Sequence, residues 1–350
     1  MRILEINTER GWRGGEKQTL LTVAGLVSNG HDATLICKKG SVLQQKANDQ
    51  SINCIPIQSN FSLFIFLVFN AKKFDLIHTH TSKSLTACVF SKFFHKTKIV
   101  FSRRHYKVPS SRFSKWKYNQ ADYITTVSAY IKDCLLKAAI HTPIQVIHDA
   151  SIPVEPNRNR IEKEYGAYLN TGKKIIATVA AFETEKDPFT LLEAIDKLSI
   201  QRHDFLFLHF GSGRLKAEIQ ALITEKNLQT VYLLQGQTTD IEELYSMFDV
   251  FVMSSLNEGL GSSVIDAFLN NIPVVSTNAG GLNELVQNRG HLVHVGDANG
   301  LFQAIQYCLN SDNTKLTTNA YFFASTALST EKIQSEYEDL FKQLLTDPTI

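Results

Sequence analysis

The residue types that could do chemistry in this 350-residue chain are three glycine loops, a few acids, one lysine and a set of histidines. The most informative stretch runs from Ser254 to Ala267, SSLNEGLGSSVIDA. An apolar run ends at Met253, a loop with two glycines follows, and a helical pattern opens near Ser262. That order puts Glu258 in a loop at a strand's C-terminal edge and Asp266 about one turn into a helix. The backbone of Gly259, Leu260, Gly261, Ser262 and Ser263 then presents N–H groups to an anion. Carboxylates for sugar hydroxyls beside N–H groups for a diphosphate suit a sugar nucleotide. Two acids eight residues apart are otherwise ordinary on a solvated surface. The strand–Gly-loop–helix setting is what favours binding.

Two further loops share this logic. Arg13-Gly14-Gly15-Glu16 lies between a strand and a helix, and so does Gly211-Ser212-Gly213. Glycine lets a ligand approach the backbone closely, and the helix N-terminus behind it attracts anions. A plain tight turn has the same sequence, and no GxGxxG fingerprint is present. Lys186, just past an apolar strand, could neutralise a diphosphate, although surface lysines are common. His105 follows Arg103-Arg104 at a strand end, where open α/β sheets bind ligands. His78-Thr79-His80 could offer two metal ligands, but no third ligand is evident from the sequence. Asp-x-Asp, the usual metal clamp for a nucleotide diphosphate, is absent, so no metal is expected.

The elements that must position these residues alternate strand and helix. Strands are expected near 2–7, 33–37, 53–57, 75–79, 97–102, 123–127 and 144–148, then near 174–180, 205–210, 230–235, 249–253, 273–276 and 291–294. Helices fall near 16–28, 84–95, 112–120 and 129–138, then near 188–199, 214–226, 240–247, 262–270, 298–309 and 330–346. Ser128 reads as an N-cap, Gly30 as a helix stop, and Asp240 with Glu243 as a capping box. Residues 149–172, rich in Pro, Asn and Gly, read as a hinge. The pattern predicts an α/β protein of two Rossmann-like domains, each with a parallel sheet. Composition excludes disorder, collagen and coiled coil. Five cysteines, without a CxxC pair, fit a reduced cytoplasmic setting. No signal peptide is read at the start, and the apolar run Phe61–Phe69 is far short of a membrane span.

Charge is uneven. Between Leu76 and Ala121 stand ten Lys or Arg and no Asp or Glu, so this stretch carries +10 while the rest carries −8. Such a field attracts anions. With Phe61–Phe69, Phe93, Phe94 and Trp116 it predicts contact with an anionic acceptor or an anionic membrane surface. A merely solvated basic face is the plain alternative.

At this point the residues resemble a known family over nearly the whole chain. Gly14-Gly15-Glu16-Lys17-Gln18 with Gly30-His31-Asp32, and Ala121 to Ser128, resemble the opening and an internal segment of the retaining glycosyltransferases of family 4, the bacterial "glycosyl transferases group 1". Glu258 to Asp266, Pro273-Val274-Val275-Ser276 and Gly280-Gly281-Leu282-Asn283-Glu284 resemble that family's signature. The resemblance implies the GT-B fold, two Rossmann-like domains with parallel sheets facing across a cleft. It implies an acceptor domain over 1–160, with a helix at 330–350 packing back on it, and a nucleotide-sugar domain over 161–329. It assigns His105 to the transferred sugar, Lys186 to the diphosphate and Glu258 to the sugar hydroxyls. Gly14 and Gly15, Gly211 and Ser212, and Gly259 to Ser263 line the donor, and Asp266 meets the ribose. Two departures stand out. Asp266 replaces the family's glutamate, shorter by one C–C bond of about 1.5 Å. Ala181 stands where the family often has arginine, so diphosphate binding leans on Lys186 and backbone N–H groups, with Arg103 or Arg104 as candidate anion contacts.

The expected reaction is sugar transfer from an NDP-sugar to a hydroxyl of a glycan or glycolipid, with retention and without a metal or other cofactor. The setting would be lipopolysaccharide or another cell-surface glycan, in the cytoplasm or peripherally on the membrane's inner face. A sugar-nucleotide epimerase or a phosphorylase keeps the fold, but the Glu258 signature argues against the first. No lysine site for a pyridoxal cofactor is evident, which argues against the second. A non-catalytic sugar- or anion-binding protein and a nucleic-acid binder are the rivals from other classes. No nucleic-acid motif accompanies the basic stretch, so nucleic acid is not expected as a partner.

Overall fold

The computed structural model describes residues 1–346. The chain divides into two compact units, Met1–Ala150 with the segment from Leu328 onward, and Ser151–Ala327.

In the first unit, β1 (Arg2–Asn7), α1 (Gly14–Ser28), β2 (Asp32–Lys38), α2 (Val42–Asp49), β3 (Cys54–Ile57) and α3 (Asn60–Asn70) come first. They are followed by β4 (Leu76–Thr79), α4 (Ser82–Ser91), β5 (Lys98–Arg103), α5 (Arg112–Tyr118), β6 (Tyr123–Thr126), α6 (Ala129–Lys137) and β7 (Ile144–Val146). All seven strands are parallel, in the order β3-β2-β1-β4-β5-β6-β7. Parallel strands need helical crossovers, which is why strand and helix alternate. Ser59, Thr81, Ser111 and Ser128 each cap the helix that follows by accepting a backbone N–H.

The second unit begins with α7 (Arg158–Leu169), β8 (Lys174–Val179), α8 (Pro188–Gln201), β9 (Phe205–Phe210), α9 (Lys216–Glu225), β10 (Tyr232–Gly236) and β11 (Val250–Met253). It ends with α10 (Ser262–Leu269), β12 (Val274–Thr277), α11 (Gly281–Val286), β13 (His291–Val293), α12 (Ala298–Asn310) and α13 (Thr314–Thr326). Its six parallel strands run β10-β9-β8-β11-β12-β13. All six residues of β9 are buried, as expected for a strand covered by helices on both faces.

The last helix, α14 (Thr330–Thr346), returns to the first unit. Its Ile333, Tyr337, Leu340, Phe341 and Leu344 share one buried cluster with Ile3, Leu20, Val23 and Leu26. Gln334 donates to the carbonyls of Leu21 and Thr22 at 2.9 and 3.2 Å. A Cβ on Gly25 would collide with Gln334, so the glycine permits this close helix contact. The expected helix 330–350 is present to Thr346; residues 347–350 lie outside the described part.

Three sequence expectations are corrected. The presumed hinge contains α7, whose Ile161 and Tyr165 are buried; a run of charged residues on its outer face hid an amphipathic helix. The stretch 241–247 is a 3-10 helix, and Asp240 forms no side-chain cap. Its supposed partner Glu243 instead accepts from Arg160 at 3.2 Å and Asn157 at 3.2 Å. Finally α2, α3, α11 and α13 were not expected as helices; α3 is masked by a nearly unbroken apolar run, which has no period to read.

Candidate active site

The order of the second sheet reverses between β8 and β11, because β9 and β10 build outward on one side and β12 and β13 on the other. Open α/β sheets bind ligands beyond the C-terminal ends of the strands at such a point. Lys186 follows β8 and Glu258 follows β11, so the two residues flank the reversal. Their side chains form an ion pair, Lys186 Nζ to Glu258 Oε2. Both are partly exposed there.

The loops carrying this pair are knitted together. Ser254 Oγ donates to the carbonyls of Lys186 at 2.8 Å and Asp187 at 3.0 Å. The Leu256 N–H donates to the Glu185 carbonyl at 2.9 Å. Asp187 adopts a left-handed conformation, φ 47°, and caps α8 by accepting from Thr190 N at 3.2 Å. Around Glu258, Oε1 accepts from the Gly259 N–H at 3.2 Å and the main-chain carbonyl accepts from Gly281 N–H at 3.1 Å. Gly261, φ 103°, precedes α10, and a Cβ there would lie 2.6 Å from Leu282. A Cβ on Gly281 would overlap the Gly259 carbonyl. Glycine is therefore required where the Gly259–Gly261 loop crosses the start of α11. Ser262 and Ser263 open α10.

Asp266 is the fifth residue of α10, one turn in from its start and buried, and its Oδ1 accepts from Ser151 Oγ at 2.9 Å. Gly211 and Ser212 follow β9 on the same sheet edge, and Ser212 donates to Gln237 at 3.1 Å. A Cβ on Gly213 would lie 2.5 Å from the Phe182 carbonyl, so this loop rests directly on the one leading to Lys186. Arg214 then reaches Glu183 at 2.9 Å and Thr184 at 2.7 Å, which puts a second cation beside the loop where Ala181 stands. His209 underpins the arrangement. It stacks on Phe182 at 3.9 Å between ring centroids, accepts from Tyr232 OH at 2.8 Å and donates to the Ala180 carbonyl at 3.2 Å. Burial pushes His209 down to about 3, so the ring is neutral.

In the first unit, Gly14 and Gly15 open α1 immediately beyond β1, beside that sheet's own reversal between β1 and β4. Glu16 accepts from the Arg13 N–H at 2.9 Å and closes the turn. A Cβ on Gly15 would meet nothing within 4 Å, so the space in front of it is open. His105 is exposed beyond β5, with Nδ1 accepting from Lys107 N–H at 3.1 Å; in the neutral ring Nε2 then carries the hydrogen. Arg103 donates to the Lys107 carbonyl and faces the Tyr118 ring at 5.9 Å. Arg104 is turned inward. Its Nε bonds Asp149 at 2.9 Å and its Nη1 bonds His80 at 2.8 Å.

That inward turn exposes a cluster the sequence did not announce. Glu5, on β1, is fully buried and meets His78 Nδ1 at 3.0 Å and His80 Nε2 at 2.5 Å. His78 Nε2 bonds Ser102, which also contacts Thr125 and Tyr337 of α14. Burial opposes ionisation of Glu5, but the two imidazoles overcome it and hold its carboxyl at about 2. Burial, with His78 and Arg104 adding to it, pushes His80 down to about 3. The sequence-based view that His78 and His80 lack a third ligand is thus corrected: Glu5 supplies one, within 4.8 Å. The available signal was a lone acid in the otherwise apolar strand RILEIN. The donor set nonetheless fits a hydrogen-bonded cluster better than a metal centre. Arg104 can only donate, so His80 Nδ1 accepts and its Nε2 carries the hydrogen directed at Glu5; that nitrogen has no lone pair left for a metal.

Two parallel α/β sheets of this kind are the architecture of the GT-B glycosyltransferases. Residues 12–150 match the family described as "Glycosyltransferase Family 4" and residues 159–321 match "Glycosyl transferases group 1". The chain belongs to this group 1 family of glycosyltransferases. It is 25% identical over 236 residues to the N-acetyl-alpha-D-glucosaminyl L-malate synthase of Bacillus anthracis, covering 65% of this chain and 61% of that protein. It is 25% identical over 314 residues to the UDP-Gal:alpha-D-GlcNAc-diphosphoundecaprenol alpha-1,3-galactosyltransferase of Escherichia coli, covering 78% and 79%. Among solved structures, Anabaena HepE in complex with UDP and glucose superposes with a TM-score of 0.87 at 18% identity, over 98% of this chain and all of that one. A glycosyltransferase from Rickettsia africae gives 0.86 at 22% identity, over 99% and 98%.

Proposed function

We propose that this enzyme transfers a sugar from a nucleoside-diphosphate sugar to a hydroxyl of a glycan or glycolipid, with retention at the anomeric carbon and without a metal. The observation that carries this reading is the Lys186–Glu258 pair at the sheet reversal, framed by the N–H groups that open α10. An NDP-sugar would exchange that internal pair for two new ones, Lys186 to the diphosphate and Glu258 to sugar hydroxyls. Lys186 and the amide groups then stabilise the charge that builds on the departing diphosphate, the main electrostatic contribution. His105 attends the transferred sugar and Asp266 the ribose, as the family resemblance implies. A role in lipopolysaccharide or another cell-surface glycan, peripherally at an anionic membrane on its cytoplasmic side, is supported by relatives. One acts on a diphosphoundecaprenol acceptor and another is a lipopolysaccharide core glycosyltransferase of Rhizobium meliloti. Five free cysteines agree with a reducing compartment.

The test is turnover. Purified protein is offered UDP-, GDP- and ADP-hexoses with a lipid-linked glycan acceptor, in EDTA, and NDP release is followed. One donor should be consumed at an unchanged rate in EDTA, and the product's anomeric proton coupling should match the donor's. The same donor at a hundred times its Kd should stabilise the fold by about 2.7 kcal/mol. Loss of turnover in EDTA with recovery on adding Mn or Mg would overturn the metal-free reading.

Gly15 offers a cleaner probe of donor contact. Because its Cβ direction is open, Gly15→Ala should leave stability unchanged or raise it by up to about 1 kcal/mol through helix propensity. If the donor phosphate packs there, the added methyl should raise donor KM by about ten-fold, a loss near 1.4 kcal/mol. Unchanged KM would remove Gly15 from the donor site.

A further inference from the structure

An aromatic surface on the first unit is left unused by sugar transfer. Phe61 and Phe64 of α3, Phe90 of α4, and Phe93 and Phe94 just beyond it line an apolar groove of about 480 Å3. Phe90 also stacks against Phe113 of α5 at 6.2 Å between ring centroids and lies 5.9 Å from Trp116, so the aromatic surface runs on from α3 and α4 to α5.

Helix α3 shows why this face is unusual. Leu63 and Leu67 point into the core, while Phe61, Ile65 and Phe69, spaced four apart, form an outward stripe. Phe61 is 73% exposed, Phe69 75% and Phe93 78%. A helix that is apolar on both faces belongs inside a protein or against lipid, and this one is at the surface. Among the described residues, no helix is long and apolar enough to cross a membrane, so the apolar face can lie on a bilayer but not span it.

The charges around the groove choose the partner. From Gln50 to Ala121 the only acid is Asp75, and it is bonded to Arg2 at 2.8 Å. Lys72 and Lys73 follow α3, Lys83 opens α4, Lys96 follows it and Arg112 opens α5; all five are exposed. Of these, Lys83 pairs with Glu9 at 3.3 Å; exposed rings on helices flanked by the other four cations complement the tails and headgroups of anionic lipid. The full +10 of the sequence does not face outward. Lys117 is buried against Ser82 and Thr86, Arg104 bonds Asp149, and Lys92 bonds Asp122 at 2.8 Å.

We propose that the α3–α5 face docks on an anionic bilayer, with Phe61, Phe69 and Phe93 below the headgroups and an acyl chain seated in the α3–α4 groove. The proposal rests on the peripheral-membrane reading above and specifies its site and depth. The chain's two tryptophans permit a direct test, since Trp12 packs against the core of the unit and Trp116 lies on the aromatic face. In Trp12→Phe protein, emission reports Trp116 alone. Phosphatidylglycerol vesicles carrying doxyl groups on the acyl chains should quench it at low salt, and phosphatidylcholine vesicles should not. Phe61→Ser with Phe93→Ser should lower partitioning by about ten-fold or more with far-UV circular dichroism unchanged. Binding to the anionic vesicles without quenching would overturn insertion while sparing peripheral adsorption. Binding to neither vesicle would overturn both, and neither outcome touches the glycosyl-transfer reading, which needs no membrane to be measured.

Discussion

Lys186→Ala should lower kcat by about 10²- to 10³-fold, the usual effect of deleting one group that stabilises transition-state charge. Glu258→Ala should also act mainly on kcat, by roughly 10- to 150-fold, equivalent to about 1.5–3 kcal/mol for a charged hydrogen bond. In the proposed reaction both side chains meet charge that develops during transfer, and such interactions appear in turnover rather than in binding. The two side chains contact each other in the free enzyme, so the double mutant should fall short of the product of the single effects. Asp266→Ala should instead raise donor KM, because the ribose does not react. Steady-state kinetics on the four proteins decides the matter. An unchanged KM in Asp266→Ala would remove this carboxylate from the donor site.

The second large effect concerns stability. Glu5→Ala removes the one acceptor shared by His78 and His80, deep in the first sheet. Breaking a buried polar or ionic contact on one side costs about 3–5 kcal/mol. That corresponds to a Tm decrease of roughly 6–20 °C for a unit of this size. The same cluster makes the protein acid-labile. The Glu5 carboxyl is held at about 2 in the fold against its ordinary 4.5, so its contribution is complete above about pH 4.5 and is lost as pH falls toward 2. His80 and His209 stay neutral to about 3 against 6.5, so below pH 6.5 the unfolded chain takes up protons that the native one refuses. Both signs agree. With two histidines contributing, stability should drop by about 2–3 kcal/mol per pH unit between pH 6 and 4. Urea unfolding at pH 6.5, 5.5 and 4.5 would show the slope, and a flat profile would contradict the neutral, buried state of these rings.

The glycine loops of the proposed site are legible before any fold is known. The loops 14–15, 211–212 and 258–263 were visible because each joins an apolar strand to a helix through glycine, a local pattern with a local physical cause. The strands of both sheets were legible for the same reason, since strands covered on both faces are runs of apolar residues. Sequence alone also concentrated positive charge between Leu76 and Ala121 and set phenylalanines beside it.

What it could not determine depends on residues brought together over long separations. Glu5 meets residues 73 and 75 positions away, and Tyr337 reaches Ser102 across 235. Nothing in a local pattern reports such contacts. Arg104 looked like an anion contact but is bonded to Asp149, and Lys117 looked like surface charge but is enclosed by α4; in both cases tertiary partners replaced solvent. Lys186 and Glu258 were each identified singly. That they meet is decided by the strand order, because only placing β8 next to β11 brings two residues 72 positions apart into one crevice.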